Sequence, residues 1–428
     1  MLFKNISIID SNFDVQRDVN VCVKNGRIDY IGKEVPDYDT DIYDGTNKLL
    51  CSGFINAHTH TAMTLLRGYG ENLPLDRWLN EKIFPFEAKL DDNSVFWASQ
   101  LGIAEMLSFG TTSFSDMYFF NDATAKAVIQ SGIKINMCRP ISCFDDSDLV
   151  DLEAYNDTIR FLNDYHNSYD GRLKIDWGLH GEYTSTQKVV SQLSRVITNY
   201  DTTLHLHLSE TQKEVDECVV RHGKTPVKYF NDLELFNTRT LAAHCVALND
   251  EDIEILSQKN VFVVHNPVSN LKLGSGIAPI YKLIKKGVTI ALGTDSVASN
   301  NNLDMLEELK LATLLHKCYT QLFENFDIKE LLKMLSLHGA MAQGRPDTGL
   351  IEVGKKADIT VIDLDKPHLV PNYDLRHTLI FSAKATDVVL TMVDGKILYK
   401  NGEYMTVDIE KAKFETSKNA KNIISRLV

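Results

Sequence analysis

Histidine and carboxylate side chains end several short apolar runs in the middle of the chain. His58 and His60 end the run GFINAHTH, and the run TTLHLHLSE contains His207, followed three residues later by Glu210. Asp295 lies near the end of the run VTIALGTDS. Because residues two apart in a strand point to the same side, the imidazoles of His58 and His60 can share one ion. Zinc accepts three imidazoles and one carboxylate, so we predict a metal site made of His58, His60, His207 and Asp295.

A metal in this shell implies hydrolytic chemistry. A divalent ion lowers the pKa of a bound water towards about 7 and supplies hydroxide at neutral pH. Asp295 can then take the proton of that water, and Glu210 can protonate a substrate nitrogen. His244 can either hydrogen-bond the attacking oxygen or stabilise the charge that grows on the substrate. We predict Glu210, His244 and Asp295 as catalytic residues. The expected cofactor is one divalent metal ion per chain, with Zn²⁺ as first choice and Fe²⁺ or Mn²⁺ also fitting.

Each of these residues also has an ordinary structural interpretation. A single His-x-His pair is weak evidence, and His207 could be a core histidine, as we expect its neighbour His205 to be. An aspartate after Gly-Thr, such as Asp295, often belongs to a turn or a helix cap. The ordered placement of these residues at the ends of successive runs favours the metal site.

Eight such apolar runs alternate with stretches of helical periodicity between about residue 51 and residue 350. The alternation predicts an α/β fold, a (β/α)8 TIM barrel, whose active site lies at the carboxyl ends of the strands. The alternative is an open doubly wound sheet. No glycine-rich phosphate loop follows the first run, which disfavours binding of a dinucleotide.

Both ends of the chain have the alternating pattern of short strands. Dipeptides typical of hairpin turns recur there, at Asn25-Gly26, Asp44-Gly45, Asp394-Gly395 and Asn401-Gly402. We predict that residues 1–50 and 351–428 pair into one small β-rich composite domain, a β-sandwich, and that residues 51–350 form the metal-dependent hydrolase domain.

Composition excludes several other classes of protein. The 428 residues are 44% hydrophobic and 24% charged, as in an ordinary globular enzyme. The net charge of −13 disfavours a nucleic-acid partner, and no apolar run reaches the length of roughly 18–20 residues that would span a membrane. The seven cysteines are scattered without a Cys-x-x-Cys pair, and the N-terminus lacks the pattern of a signal peptide. We expect a cytoplasmic enzyme with a small-molecule substrate.

Five stretches resemble a known family: GFINAHTHTAMTLLRG (53–68), HLHLSET (205–211), AAHCV (242–246), HNPVSNLKLGSGIAP (265–279) and LGTDSVASNN (292–301). The chain resembles the amidohydrolase superfamily, and within it the methylthioadenosine/S-adenosylhomocysteine deaminase group. The resemblance implies the same ligands and acid/base residues as above, and one metal without a bridging carbamylated lysine. Accordingly, the fourth run ends in His180. The resemblance also implies a possible homo-oligomer.

The resemblance further implies residues that bind the substrate, namely Glu87, Arg139 and His180, together with Glu210. Glu87 matches a residue that binds the two ribose hydroxyls of a nucleoside, each of which can donate a charge-assisted hydrogen bond. Arg139 could bind an oxygen of the ribose or of a tail, and His180 matches a position that contacts the sugar or the ring. As alternatives, Glu87 could be a solvated charge, and Arg139 could pair with a nearby acid.

Two departures from the group bear on the substrate. The group usually has a second arginine after the third strand, suited to a homocysteine carboxylate, whereas this chain has no arginine there before Arg160. In addition, Glu182 is an extra carboxylate that either faces the pocket or is buried against a partner. We therefore expect a hydrolytic deaminase that removes ammonia from an aminopurine nucleoside, such as methylthioadenosine, adenosine, deoxyadenosine or an S-adenosylhomocysteine-like compound. A related enzyme acting on a free base, pterin or triazine is the alternative, and a ligand-binding scaffold without activity is a remote one.

Overall fold

A computed structural model describes residues 1–35, 40–320 and 327–427. Its strands are β1 Leu2–Ile9, β2 Val15–Lys24, β3 Arg27–Gly32, β4 Ile42–Asp44, β5 Lys48–Ser52, β6 Phe54–His60, β7 Thr111–Met117, β8 Lys134–Cys138, β9 Pro140–Ile141, β10 Leu173–Ile175, β11 Trp177–Leu179, β12 Leu204–Leu208, β13 Thr240–His244, β14 Val261–His265, β15 Thr289–Leu292, β16 Asp295–Ser296, β17 Ile359–Asp363, β18 Val388–Val393, β19 Lys396–Lys400 and β20 Glu403–Tyr404. Each of the eight predicted runs contains a strand.

Helices separate most strands of the middle segment, and two more helices, α17 and α18, lie in the C-terminal segment. They are α1 Leu75–Trp78, α2 Phe84–Glu87, α3 Asp92–Ser108, α4 Asn121–Ser131, α5 Glu153–Asp164, α6 Ser168–Gly171, α7 Gln187–Ile197, α8 Gln212–His222, α9 Pro226–Asp232, α10 Asp250–Gln258, α11 Pro267–Lys272, α12 Ile280–Lys285, α13 Val297–Asn300, α14 Met305–Thr320, α15 Ile328–Leu335, α16 Leu337–Ala342, α17 Leu375–His377 and α18 Ile409–Ser425. The final helix, α18, packs against α3. Within the described part of the chain, no helix is both long and apolar enough to cross a membrane.

The strands of the middle segment form two parallel sheets. One has the order β10-β8-β7-β6-β16 and the other β15-β14-β13-β12-β11-β9. At three places the chain passes directly from one sheet to the other: from β8 to β9, from β10 to β11 and from β15 to β16. Strands such as β12 and β13 are buried along their whole length, as expected of parallel strands covered on both faces. The α/β fold with parallel sheets is thus confirmed.

The two ends of the chain meet in one nine-stranded sheet. Its path is β20-β19-β18-β17-β5-β1-β2-β3, with β4 paired to β1. The antiparallel pair of β17 with β5 joins the C-terminal segment to the N-terminal one. Asn25 and Gly26 both have positive φ and connect β2 to β3 in a tight hairpin. The Asp44-Gly45 hairpin was a wrong prediction, because β4 and β5 each pair in parallel with β1.

Two short-range caps help to place the residues that end the strands. Thr211 caps α8 by accepting a hydrogen bond from the Glu214 amide, directly after Glu210. Ser296 caps α13 by accepting one from the Ser299 amide, directly after Asp295. Each cap begins a helix at the carboxyl end of a strand, so the preceding carboxylate lies at the strand–helix junction.

Candidate metal centre and adjoining pocket

The four side chains predicted to bind metal lie together at the carboxyl ends of the strands. Asp295 Oδ1 is 3.4 Å from His58 Nε2 and 3.3 Å from His60 Nε2. His207 Nε2 is 3.3 Å from His60 Nε2, and the ring centroids of His207 and His58 are 5.0 Å apart. His244 completes a second close group with His58 and His207, whose nitrogens lie within 4.8 Å of one another. Three imidazoles and one carboxylate therefore cluster at the carboxyl ends of the strands, as parts of two close groups that share His58.

The other nitrogen of each predicted histidine ligand is held by a neighbour. His60 Nδ1 lies 2.5 Å from the Met117 carbonyl oxygen, and His207 Nδ1 lies 2.7 Å from the His180 carbonyl oxygen. A carbonyl only accepts, so both Nδ1 atoms carry a hydrogen, and Nε2 is the atom of each ring that can bind a metal ion once it is deprotonated. Within the described residues, the buried Nε2 of His58 makes no hydrogen bond. This donor set fits a divalent metal ion such as zinc.

Two serine hydroxyls fix the orientation of Asp295. Ser269 Oγ and Ser299 Oγ donate to Asp295 Oδ2 at 2.5 and 2.9 Å, which leaves Oδ1 facing the histidines. Asp295 has a φ of 60° and His244 a φ of 74°, both in the left-handed region that non-glycine residues seldom adopt. Backbone strain of this kind concentrates at functional sites.

Glu210 and His244 face each other across the centre. Glu210 Oε2 is 3.9 Å from His244 Nε2, and His244 Nδ1 is 2.8 Å from Asn270 Oδ1. The carboxylate of Glu214 accepts hydrogen bonds from the amides of Ser209 and Glu210 at 2.9 and 2.7 Å. Glu214 therefore holds the backbone from which the Glu210 side chain projects.

Burial and mutual charge set the protonation of these groups. Burial lowers the pKa of His58 to about 4 and that of His180 to about 4. Burial also disfavours the charged form of His60, but the hydrogen bond and charge of Asp295 outweigh it and raise the pKa to about 9. Burial raises the pKa of Glu210, so that its carboxyl group keeps a proton more readily than an exposed one.

A cavity of about 320 Å³ opens over the centre and has a mostly apolar wall. Seven of the predicted site residues line it, namely His60, Glu87, His180, His207, Glu210, His244 and Asp295. Its apolar lining includes Trp78, Leu79, Phe84, Phe119 and Phe144. The volume suits a small heterocyclic ligand. Burial raises the pKa of Glu87 to about 7.

Two residues singled out in the sequence lie elsewhere. Arg139 does not line this cavity but contacts Asp157 and Glu153 of α5, rather than an acid of the loop at 145–148. Glu182 is buried and bonded to Arg221 and His222, at 2.5 and 2.9 Å. It therefore belongs to an internal ion pair, which was one of the two alternatives.

Sequence reasoning missed the contacts of two residues at the centre. His205 Nε2 lies 2.8 Å from His58 Nδ1, so this buried histidine contacts a predicted ligand. The alternation Leu-His-Leu-His-Leu could have indicated it, because His205 and His207 share one face of β12. The sequence Thr211-x-x-Glu214 is the pattern of a helix capping box and could have indicated Glu214.

The chain is similar in sequence and structure to known proteins. Residues 49–398 match the model of the amidohydrolase family. The chain is 42% identical over 430 residues to a 5-methylthioadenosine/S-adenosylhomocysteine deaminase of Thermoanaerobacter pseudethanolicus, covering 100% of both chains. It is 39% identical to a 5′-deoxyadenosine deaminase of Methanosarcina acetivorans, covering 100% of this chain and 99% of the relative. A crystal structure of a Xanthomonas campestris adenosine deaminase with bound zinc superposes with a TM-score of 0.93 at 31% identity, covering 100% and 98% of the two chains. The chain therefore belongs to the amidohydrolase family.

Proposed function

We propose that this protein is a metal-dependent hydrolytic deaminase that removes ammonia from adenosine-type nucleosides. The observation that carries the proposal is the convergence of three imidazoles, Asp295 and the Glu210–His244 pair beneath one apolar cavity. The names of full-length relatives at 42% and 39% identity support an adenine nucleoside as the substrate. Glu87, at the wall of the same cavity, supplies a carboxylate suited to the two ribose hydroxyls.

His58, His60, His207 and Asp295 would hold the metal, and zinc is the ion that a 31% identical solved relative contains. A divalent ion in this shell would make water acidic enough to supply the attacking oxygen at neutral pH. Hydrogen bonds from the two serines to Oδ2 keep the Asp295 carboxylate oriented with Oδ1 towards the centre. Burial raises the pKa of Asp295, but hydrogen bonds from His58 and His60 outweigh it and lower the pKa, so the carboxylate is ionised.

The remaining groups act on the purine. Attack of water oxygen on the amine-bearing ring carbon forms a C–O bond, and Asp295 takes the proton that the water gives up. Glu210, whose pKa is raised by burial, delivers a proton to the adjacent ring nitrogen. Burial lowers the pKa of His244, but the charges of Glu210 and Asp295 outweigh it and raise the pKa overall. In its protonated form, His244 donates from Nε2 to the attacking oxygen. Return of the proton from Asp295 to the amine lets the C–N bond break, and ammonia leaves. The proton that remains on the attacking oxygen is lost as the C=O bond forms, and it restores the protonated Glu210 carboxyl group.

The fold that supports this site has two further proposed features. We propose that the two parallel sheets close into a single (β/α)8 barrel, because three chain segments pass directly between them. We also propose that residues 1–50 and 351–428 form a separate β-sandwich domain around the barrel domain of residues 51–350. The antiparallel pairing of β17 with β5 supports this division.

Ammonia release from zinc-loaded protein tests the function. The panel is adenosine, 5′-deoxyadenosine, 5′-methylthioadenosine, guanine, cytosine and a pterin, each assayed also with His207→Ala. We expect turnover of the adenine nucleosides and loss of that turnover in the variant, with one metal ion per wild-type chain. A metal-loaded protein that releases ammonia only from a free base or a pterin would contradict the nucleoside assignment.

A further inference from the structure

A second cavity adjoins the first and begins at Glu87. It has a volume of about 590 Å³ and shares Phe84, Glu87 and Phe119 with the wall of the first cavity. If Glu87 binds the ribose hydroxyls, as in the proposed function, a substituent on the ribose 5′ carbon can extend into this second cavity. The charges that line it then decide which substituents are accepted.

Carboxylates outnumber cations in the wall of the second cavity. The acids are Glu87, Asp92, Asp122, Glu153 and Asp157, and the cations are Arg139 and Arg160. Arg139 lies between β8 and β9. Arg160 lies on α5, as do Glu153 and Asp157.

Both guanidinium groups are already paired with acids of the same wall. Arg139 Nη1 contacts Asp157 Oδ2 and lies 3.2 Å from Glu153 Oε1. Arg160 Nη2 lies 2.8 Å from Asp122 Oδ2 and 3.5 Å from Asp157 Oδ1. Asp157 therefore neutralises part of the charge of each arginine, and it is the acid that contacts both.

Asp157 is better placed than Glu153 to control Arg139. The Asp157 side chain is 23% exposed, whereas that of Glu153 is 81% exposed, so water and salt screen the Glu153 charge much more strongly. An arginine paired in this way has little charge left for a ligand, and an anion entering the cavity would meet the remaining carboxylates.

We propose that Asp157 is a specificity-determining residue, which suppresses the anion-binding capacity of Arg139 and makes the enzyme select nucleosides with an uncharged 5′ substituent over those with a carboxylate. This proposal rests on the proposed function. It assigns the selectivity to the second cavity and not to Glu182, which is bonded to Arg221 and His222 inside the protein.

A pair of substrates of equal size tests the selectivity with the wild-type holoenzyme. Adenosine 5′-carboxamide is neutral and adenosine 5′-carboxylate is an anion of nearly the same shape, with 5′-deoxyadenosine as the reference. We expect kcat/KM for the carboxylate to be lower than for the carboxamide by about tenfold or more. Equal values, or a preference for the carboxylate, with 5′-deoxyadenosine turned over, would overturn this proposal and leave the proposed function standing. Absence of turnover of all three would overturn both.

Variants then test the residue. Asp157→Asn keeps the shape and hydrogen-bonding atoms, and we expect it to reduce the carboxamide-to-carboxylate ratio by about tenfold. Glu153→Gln, at an exposed position, should shift the ratio in the same direction by less. Asp201→Asn removes one charge at a fully exposed site and should leave the ratio unchanged. An unchanged ratio in Asp157→Asn that melts like the wild type would contradict the role of Asp157. If Asp157→Asn does not fold, Asp157→Ser removes the same charge, and an unchanged ratio in that variant would contradict the role in the same way.

Discussion

His205 Nε2 lies 2.8 Å from Nδ1 of His58, and both side chains are completely buried. If His58 binds metal through Nε2, its Nδ1 carries the hydrogen and donates it to His205. The hydrogen of His205 is then on its own Nδ1, which lies 3.8 Å from Cys138 Sγ. A neutral imidazole thus occupies the place that a carboxylate or a carbonyl often takes behind a metal-binding histidine.

Replacement of His205 should weaken metal binding. Loss of such a partner typically costs about 10- to 100-fold in metal affinity, and we expect that loss for His205→Ala. His205→Gln, whose amide oxygen can accept the His58 hydrogen, should retain more of the affinity. Competition with a chromophoric zinc chelator measures the dissociation constant directly.

His338→Ala provides the control for the His205 variants. His338 is also buried, but it is bonded to the Ile290 carbonyl oxygen at 2.8 Å. This variant removes a buried imidazole without touching His58, so its metal affinity should match the wild type. If His205→Ala holds zinc as tightly as the His338 control, His205 has no part in orienting His58.

Removal of the Glu87 carboxylate should damage nucleoside turnover selectively. Hydrogen bonds to a charged group contribute about 1.5–3 kcal/mol, so Glu87→Gln should lower kcat/KM for 5′-deoxyadenosine by about 10- to 100-fold. The 2′,3′-dideoxy analogue of adenosine lacks both hydroxyls, so kcat/KM for this analogue should fall far less in the variant. Glu81→Gln, on an exposed carboxylate of the same segment, serves as the control. Equal losses for both substrates would exclude a contact with the hydroxyls.

Ionisation of Glu87 should make KM for nucleosides depend on pH. Burial raises the pKa of Glu87 to about 7, against opposing contributions from Tyr118 and His60. Above that pH the carboxylate accepts from both hydroxyls, and below it the protonated group has to donate. We therefore expect KM for nucleosides to rise as pH falls through 7, by about tenfold at one unit below. Glu87→Gln should abolish this rise, and a wild-type-like rise in the variant would assign it to another group.

Glu214 should affect catalysis through the backbone of Glu210. In Glu214→Ala the buried amides of Ser209 and Glu210 lose their acceptor, at a cost of about 1–3 kcal/mol in stability each. We expect kcat to fall at least tenfold with little change in KM, because Glu210 is mispositioned. Asp216→Asn on the same helix is the control. Within the described residues, the Asp216 side chain accepts a hydrogen bond from Gln212 and from no other residue. A drop in melting temperature with unchanged kcat would limit Glu214 to a structural role.

Part of this protein follows from local rules that the sequence carries by itself. Residues two apart on a strand lie on the same face. The sequence alone therefore predicts that His58 and His60 share one face of their strand and that His205 and His207 share one face of theirs. The order of strands and helices predicted an α/β fold with parallel sheets, and the Asn25-Gly26 turn predicted its hairpin. The roles assigned to the metal-binding and catalytic side chains remain predictions.

Only the tertiary structure decided which distant groups became partners. Asp44-Gly45 has a turn sequence, but pairing of β4 and β5 with β1 overrode the hairpin. Arg139 pairs with Asp157 because α5 packs against β9, and Glu182 is buried because α8 brings Arg221 onto it. His58 meets His205 across 147 residues of chain. Such contacts depend on how helices and strands pack in space, whereas the period of a strand is set by its own covalent geometry.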